Sequence, residues 1–433
     1  ADAATLAIKL LCGKDPGIPP GMGALVGPPA PTVLIGGFPC PPIGEMVIGA
    51  LMKGVKAVAA AAKKLRSSRR ANAHCGNGSH PIYLVTGENF DQFTDFVSGE
   101  LFAWKRHYSS ARAHEDGPLG FGFRHIYQRT LDVRLHQSTF VDWDGVALEF
   151  PKFLRGESQC LAQGYRLTRV RPDRYELRTR AEPTMVFAGD RFAGPLRLVE
   201  LRSEARELVF EYDEQGRIQT CVDRSRQALH ERRIYDFQYD DSGRITAIVE
   251  RASPAIVRFS CLYSEVGELA RARDALGGDW VYEYDLRHFW IRQIDPRGYA
   301  YSFAYDVQGR CIWASGQDGL WQAKVEYIPE DRTTRYTEGN EALWHFHYDK
   351  DGFIVEIVNP QGGRTRRERD AEGRILREID PGGRVLEWLY DAEGAHYARR
   401  DRFGHLYPPE LEMPKLADPF ERELANDALT RHF

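Results

Sequence analysis

The residues that could carry chemistry in this sequence are few and scattered. His345 and His347 alternate, so on a strand both would point to one face, but no third metal ligand accompanies them. Asp142 and Asp144 resemble the start of a calcium loop, yet the pattern does not continue beyond Gly145, and a turn is the preferred interpretation. No Gly-x-Ser-x-Gly, His-Glu-x-x-His or P-loop motif occurs. The sequence therefore predicts no catalytic residue, no metal site, no cofactor and no enzyme activity.

Cysteine usage and charge disfavour further classes of protein. The seven cysteines lie far apart with no Cys-x-x-Cys pair, which favours reduced, buried thiols over a disulfide framework or a zinc knuckle. The net charge is −4, but residues 1–80 hold nine Lys/Arg against three Asp/Glu, a net +6 that leaves −10 for the rest. A globally basic nucleic-acid binder is disfavoured, and no nucleic-acid partner is predicted. No signal peptide is visible, and the first residue is Ala1 rather than Met, which indicates a processed or trimmed chain.

The first eighty residues predict one helix between two irregular stretches. Residues 13–44 are rich in Pro and Gly, and residues 66–80 read as a linker. Residues 43–66 predict a helix. Lys53 and Lys56 interrupt its apolar run, so an amphipathic helix bound to a partner is favoured over a packed helix or a membrane span. A transient membrane contact stays open. The residues predicted to bind the partner are Met46, Ile48, Leu51, Met52 and Val55.

An internal repeat dominates the rest of the chain. Its core, Tyr-Asp-x-x-Gly-Arg, is complete in three places, and degenerate copies continue at intervals of 21 or 22 residues from position 263 to position 390. The complete copies are Tyr212, Asp213, Gly216 and Arg217; Tyr239, Asp240, Gly243 and Arg244; and Tyr305, Asp306, Gly309 and Arg310. A copy without the tyrosine has Asp370, Gly373 and Arg374.

Each unit predicts two strands and two turns. In residues 369–390, Asp370 can accept a backbone N–H and Gly373 supplies the left-handed position of a type I turn with a bulge. A second turn follows at Asp380-Pro381-Gly382-Gly383, and the tyrosine ring is expected to pack across strands. The predicted fold is mainly β: a continuous antiparallel ribbon coiling into a shell, with a short helical N-terminal segment. The repeat positions are interpreted as structural.

These repeats resemble the RHS/YD-repeat family of polymorphic toxins. Residues 79–131 strengthen the resemblance to the N-terminal domain of these toxins through His80-Pro81, Val85-Thr86-Gly87-Glu88, Arg106-x-Tyr108-Ser109-Ser110 and Gly117-Pro118-Leu119-Gly120. Residues 31–42 are similar to the end of a PAAR or PAAR-like domain, but only Cys12 and Cys40 lie where its zinc ligands would be needed.

The resemblance implies five regions and a function. The regions are a PAAR-like remnant (1–42), a helix with a basic linker (43–80), the N-terminal domain (81–150), the YD-repeat β-shell (151–407) and a tail with a short helix (408–433). The implied function is a non-enzymatic scaffold that encloses a C-terminal toxin in an antibacterial effector. It would dock on a VgrG spike, bind an Eag-type chaperone and leave the bacterial cytoplasm by type VI secretion. The alternative is a YD-repeat adhesin that binds glycans at a cell surface.

The resemblance also leaves the end of the chain open. The family's Asp-Pro-x-Gly-Leu motif, near which many members cut themselves, is absent, and the repeat is still running at Tyr390. The expectation is that the ribbon needs a toxin domain, a further RHS chain or a second copy to complete it. The segment 408–433 is the other candidate to cover its last strand.

Overall fold

The computed structural model describes residues 34–35, 38–39, 73–74 and most of 82–407. The gaps in the last range are 135, 152, 154–158, 163, 180–181, 228–231, 371–372 and 392–395. The chain divides into two units, residues 1–63 and residues 64–433. In the first, β1 (Leu34–Ile35) pairs with β2 (Phe38–Pro39). The predicted helix at 43–66, with all five of its partner-binding residues, lies outside the described residues.

The second unit begins with small sheets that precede the ribbon. A short pair, β3 (Ala73–His74) with β4 (Ile82–Tyr83), leads into a sheet with the order β5-β6-β9. Its strands are β5 (Phe90–Ser98), β6 (Phe102–Ser109) and β9 (Phe123–His125). Between the last two lies the pair β7 (Asp116–Gly117) and β8 (Gly120–Phe121).

All remaining strands form one 27-stranded sheet in sequence order, β10 to β36. Every pairing whose register is described in this sheet is antiparallel, which confirms the predicted ribbon. The first eight strands also close on themselves, because β10 pairs with β17 through Leu131 and Leu196. These strands are β10 (Thr130–Val133), β11 (Gln137–Val141), β12 (Ala147–Pro151), β13 (Gln159–Ala162), β14 (Tyr165–Arg171), β15 (Arg174–Arg178), β16 (Thr184–Ala188) and β17 (Leu196–Arg202). No local sequence pattern predicts this closure.

The repeats follow as nineteen open strands. They are β18 (Arg206–Tyr212), β19 (Ile218–Ser225), β20 (Arg232–Tyr239), β21 (Ile245–Glu250), β22 (Ile256–Tyr263), β23 (Leu269–Arg273), β24 (Asp279–Tyr284), β25 (Trp290–Ile294), β26 (Ala300–Tyr305), β27 (Cys311–Gly316), β28 (Ala323–Ile328), β29 (Thr333–Glu338), β30 (Leu343–Tyr348), β31 (Ile354–Val358), β32 (Arg364–Arg369), β33 (Ile375–Ile379), β34 (Val385–Tyr390), β35 (His396–Asp401) and β36 (Leu406–Tyr407).

Helical structure in the described residues is limited to single 3-10 turns at Ser110–Arg112, Gln317–Gly319 and Pro329–Asp331. None of the helices found there has the length and apolar content that a membrane crossing requires.

The core lies on one face of the ribbon. Side chains alternate between the two faces of a strand, so Tyr235 and Phe237 of β20 share a face, and both are buried. Residues 82–129, here called the inner segment, pack on that face, which is therefore called the inner face. The opposite one is the outer face.

Candidate functional site

The turns of the repeats share one geometry. In the first complete copy, the amide of Gly216 donates to the Asp213 carbonyl at 2.9 Å, and the Asp213 carboxylate accepts the amides of Gln215 and Arg217. The glycines have the positive φ that the sequence predicts: 79° at Gly216, 83° at Gly243, 80° at Gly309 and 84° at Gly373. The second turn, at Asp380, has the same bonds, with Gly383 in the left-handed position.

Two turns with these backbone bonds have another residue in place of the glycine: Glu341 in the turn at Glu338, with φ 66°, and His288. His288 takes the left-handed position of the turn at Asp285 with φ 64°, a conformation that is unfavourable for a residue with a Cβ. Its ring lies flat against Phe121 of the inner segment at 3.9 Å between centroids, and its Nδ1 is 2.8 Å from a carboxylate oxygen of Glu268. These contacts hold a backbone that the residue type opposes.

The tyrosines link each unit to the one before it. The hydroxyl of Tyr239 donates to the carbonyl of Ile218 at 2.7 Å, the residue directly after the preceding turn. Six others make the equivalent bond: Tyr212 to Leu198, Tyr263 to Ile245, Tyr284 to Leu269, Tyr305 to Trp290, Tyr327 to Cys311 and Tyr390 to Ile375. The tyrosine therefore does more than pack its ring across strands.

The arginine of the repeat completes this link. Arg217 donates from Nε to its own turn's Asp213 at 2.7 Å, and its guanidinium lies 4.5 Å from the ring centroid of Tyr239 in the next unit. Arg310 and Arg374 do the same with Tyr327 and Tyr390. Arg244 lies over Tyr263 but turns its ion pair to Asp116 of the inner segment, at 2.7 Å.

The predicted repeat residues thus form a recurring contact of turn, cation and ring along one edge, which lacks the cation where Glu268 and Phe289 replace the arginine. The repeat sequence predicts the turn role of the aspartate and glycine, but a role for the arginine is not among the predictions. Its signal was available, since Tyr and Arg recur at a fixed offset from the Asp-Gly turn and a cation over an aromatic ring is a common contact.

Aromatic rings join the inner segment to the inner face. Each ring contact below connects residues more than a hundred positions apart in sequence, and centroid distances range from 3.9 to 5.6 Å. Such packing resembles a protein core rather than a surface contact. The pairs are Phe102 with Tyr235, Trp104 with Phe237 and Phe259, Phe93 with Trp280, Phe123 with Tyr282 and Tyr108 with Trp290.

A buried ion pair lies at the centre of this contact. Arg106 donates to both carboxylate oxygens of Asp95 at 2.7 Å and to the Tyr282 hydroxyl at 3.1 Å, and both charged side chains are fully buried. Its guanidinium lies within 4.7 Å of the Phe93 centroid. Burial disfavours the charged form of Arg106, but the neighbouring Asp95 carboxylate favours it and keeps the pKa of Arg106 raised.

The sequence around Arg106 contains a pattern that indicates its burial. Trp104, Arg106 and Tyr108 alternate on one strand, so the arginine lies on the buried face of β6 and requires a partner there. The motif containing Arg106 and Tyr108 served as a family marker, without a role for either residue.

Main-chain bonds complete the attachment. The carbonyl of Gly87 accepts from the Cys311 amide and that of Pro118 from the Ile245 amide, each at 2.8 Å, and the Leu84 carbonyl accepts from the Thr334 hydroxyl. The approach is close, because a Cβ at Gly87 would lie 2.3 Å from Cβ of Arg310.

The inner face changes character beyond β31. Its last deeply buried large side chains are Phe346 and Ile354, and Arg367 of β32 then pairs with Glu378 of β33 at 2.7 Å. Farther on, Arg399 lies over the ring of Trp388. These residues are partly exposed.

His345 and His347 are the histidines considered as metal ligands. His345 and His347 lie side by side, 6.4 Å between ring centroids, on the outer face, and the Thr333 hydroxyl is 2.9 Å from Nδ1 of His347. Over the described part of the chain, no group of three or more His, Cys, Asp or Glu is arranged to hold a metal ion. Cys221, Cys261 and Cys311 are free thiols, and burial raises their pKa.

Two known families match parts of this chain. The RHS Repeat family matches residues 348–385, and a domain of unknown function, DUF6531, matches residues 79–150.

Curated relatives match only in part. A probable deoxyribonuclease RhsB of Dickeya dadantii is 34% identical over 142 residues, which cover 33% of this chain and 10% of that protein. A double-stranded DNA deaminase toxin A of Burkholderia cenocepacia is 29% identical over 28% of this chain and 8% of its own. Toxin protein Tse5 of Pseudomonas aeruginosa is 29% identical over 29% of this chain and 11% of its own. The chain spans about a tenth of the length of these relatives.

Solved structures give a weaker likeness. A crystal structure of TcdB2-TccC3 without its hypervariable C-terminal region aligns with 69% of this chain and 18% of its own, at 12% identity and a TM-score of 0.38. A Tc holotoxin pore of Photorhabdus luminescens aligns at 10% identity, a TM-score of 0.27 and coverage of 74% and 26%. The fold described above rests on the strand pairing alone.

Proposed function

We propose that this chain, an RHS/YD-repeat protein related over part of its length to polymorphic toxins, is a scaffold that encloses a toxin without catalysing a reaction itself. The observation that carries the proposal is the contrast along the inner face. Contacts of the inner segment with this face run from β18 to β29, and a polar, partly exposed continuation follows on β32–β35. A cargo would meet the polar part.

The chemistry of that part suits a compartment rather than a binding groove. Paired charges such as Arg367 and Glu378 keep their hydrogen bonds satisfied without a partner, so they do not require a cargo to adhere. The relatives' names include a deaminase and deoxyribonucleases, and we assign such activities to a toxin region rather than to these repeats. A toxin held this way would be separated from the producing cell.

Delivery is the second part of the proposal. Residues 1–42 would dock on a VgrG spike and the segment 43–66 would bind an Eag-type chaperone before export by type VI secretion. The support is the family resemblance and the likeness to toxin protein Tse5. Deleting 43–66 should abolish co-purification of the chaperone while the ribbon stays folded, and unchanged co-purification would contradict this part.

Photo-crosslinking tests the enclosure. An unfolded reporter is fused after residue 433, and a photoreactive amino acid replaces Leu386 in one variant and Glu387 in another. These neighbours lie on opposite faces of β34, since Leu386 pairs with Glu378 on the inner face and Glu387 pairs with Arg377 on the outer face. Crosslinks to the reporter from position 386 but not from 387 are expected. Equal yields from both positions, or none from 386, would refute enclosure.

A further inference from the structure

Three consecutive turns on one edge of the ribbon carry exposed apolar side chains at their tips. This edge, here called the tyrosine edge, is the one where the repeat tyrosines end their strands. The three turns connect β22 to β23, β24 to β25 and β26 to β27. Their tip residues Val266, Leu286 and Val307 are 61%, 102% and 90% exposed, and together they are called the apolar row.

The apolar row is confined to these three units. Other turns on the tyrosine edge have polar residues at both tip positions: Glu214 and Gln215, Asp241 and Ser242, Lys350 and Asp351. On the opposite edge, the exposed Leu276 and Phe403 lie far apart along the chain. Single exposed apolar residues are ordinary on a protein surface, but three in adjacent units mark an interaction surface.

The inner segment forms a wall beside the apolar row. Its Phe121 ring lies flat against His288 of the middle turn, with 3.9 Å between centroids. A Cβ at Gly120 would lie 2.5 Å from the carbonyl oxygen of Gly267 in the first turn. The row therefore continues a surface on which another part of the chain already packs.

Exposed carboxylates surround the apolar row. Glu265 precedes Val266 in the first turn, Asp241 lies in the turn before the row, and Glu330 lies in the loop after it. None of these three carboxylates has an ion pair among the described residues. The arginines beside the row are paired within the chain: Arg244 with Asp116, Arg287 with Asp285 and Arg310 with Asp306. The surface is therefore complementary to a cationic partner.

We propose that the apolar row binds a basic amphipathic helix of another protein. Neighbouring units are two strands apart, which places their turns about 10 Å apart along the edge. Residues seven positions apart in an α-helix are separated by about 10.5 Å. A helix lying along the edge therefore brings one apolar side chain to each turn in three successive heptads. Lysines or arginines beside its apolar stripe meet the carboxylates of Asp241, Glu265 and Glu330.

Other occupants fit this surface less well. A second copy of the chain would bring like charges together, and three side chains are few beside the roughly 20–30 residues per side of a stable interface. An anionic membrane would be repelled by the same carboxylates. An added β-strand needs free main-chain groups, whereas the turn amides bond internally, as Gly309 does to the Asp306 carbonyl at 3.0 Å.

Fluorescence anisotropy with a labelled three-heptad peptide and the complete 433-residue chain tests the proposal. The peptide has leucine at the first and fourth positions of each heptad and lysine or alanine elsewhere. A second peptide of the same composition has its leucines spread around the helix. The first peptide should bind with a Kd in the micromolar range, and the second should bind about tenfold more weakly or less.

Two chain variants locate the contact. Leu286→Ser should weaken binding of the first peptide about tenfold, because it removes the central apolar side chain without adding a charge. Leu276→Ser is the matched control, because Leu276 is a turn leucine that is 96% exposed on the opposite edge. It should leave binding unchanged.

Several outcomes would overturn the proposal. They are no binding of the first peptide, equal binding of the two peptides, undiminished binding by Leu286→Ser, or an equal loss in Leu286→Ser and Leu276→Ser. A dimer of the chain alone that Leu286→Ser abolishes, measured by sedimentation velocity, would assign the row to a second copy instead. The crosslinking test of enclosure is independent of these results, because it probes β34 and not the tyrosine edge.

Discussion

The inner face under the inner segment and the inner face of β32–β35 have the same turns but different side chains. Phe237, Phe259 and Phe303 occupy it in the first region, and Arg367, Glu378 and Arg399 in the second. The turn bonds of Asp306 and Asp370 are nevertheless alike within 0.1 Å. The turns therefore form regardless of what the inner face packs against. Only the inward-facing side chains differ between the two regions.

The same repeat can carry either an apolar or a polar inner face. The Asp-Gly turn, the tyrosine bond and the arginine over the ring involve only neighbouring strands, so they form in units that keep these residues. Even the degenerate unit at position 369 keeps part of this pattern, since Arg369 reaches the equivalent carbonyl of Ile354 at 3.4 Å. What varies is the set of residues that face inward.

Removing the buried ion pair should have the largest effect. Arg106→Met leaves the Asp95 carboxylate buried without its partner, which should lower the free energy of unfolding by about 3–5 kcal/mol. Arg400→Met is the control from the outer face of β34 and β35, because the Arg400–Glu387 pair is about half-exposed and should contribute about 1 kcal/mol or less. Urea titration measures both.

The ion-pair comparison can fail in a clear way. Similar losses for Arg106→Met and Arg400→Met would mean that the inner segment does not depend on the pair. The double variant Arg106→Met with Asp95→Leu should recover most of the loss, because it leaves no isolated charge in an apolar site.

Acid should affect the first region before the second. Burial lowers the pKa of His125 to about 3, so the unfolded chain binds a proton below pH 6.5 that the folded chain does not. This contribution is complete above pH 6.5 and is lost as the pH falls toward 3, about 2 kcal/mol of it between pH 7 and 5. His125→Phe should remove that loss, as urea titrations at pH 7 and 5 would show.

Glu356, on the outer face of β31, gives the matching control. Arg366 and Arg364 lower the pKa of Glu356, so its stabilisation is present above the unfolded pKa of about 4.5 and is lost only as the pH falls further. Glu356→Gln should leave the difference between pH 7 and 5 unchanged. A wild type and a His125→Phe variant with the same loss over that interval would contradict the assignment.

The sequence supports prediction of the ribbon because its signals are local. Asp213 and Gly216 define a turn within five residues, and the same spacing recurs across the repeats. The closure of β10 on β17 and the contact of Arg106 with Tyr282 join residues about 65 and 176 positions apart. No local pattern encodes such partners, although burial of Arg106 could have been inferred from its alternation with Trp104 and Tyr108.

The tyrosine hydroxyls should show a smaller version of the same contrast. The Tyr305 hydroxyl donates to the Trp290 carbonyl at 2.9 Å and accepts from the side-chain Nδ2 of Asn89 at 3.0 Å. Tyr305→Phe therefore removes hydrogen bonds of two buried groups. The expected loss is about 1–3 kcal/mol. Tyr390→Phe removes one bond in the more exposed region and should cost about 0.5–1 kcal/mol. Equal losses in urea titration would mean that Asn89 does not tie the inner segment to the repeats.

The turn glycines should give the smallest difference, because both regions need the same backbone. Gly383 has φ 76° with nothing within 4 Å of an added Cβ, so Gly383→Ala measures the left-handed conformation alone, about 1 kcal/mol. Gly309 has φ 80°, and its Cβ would lie 2.6 Å from Cζ of Phe289, so Gly309→Ala should cost about 1 kcal/mol more as that ring shifts. Thermal or urea unfolding would show the difference. If Gly309→Ala cost no more than Gly383→Ala, the Phe289 ring would have room to move, and packing near the turns would be no tighter in the first region than in the second.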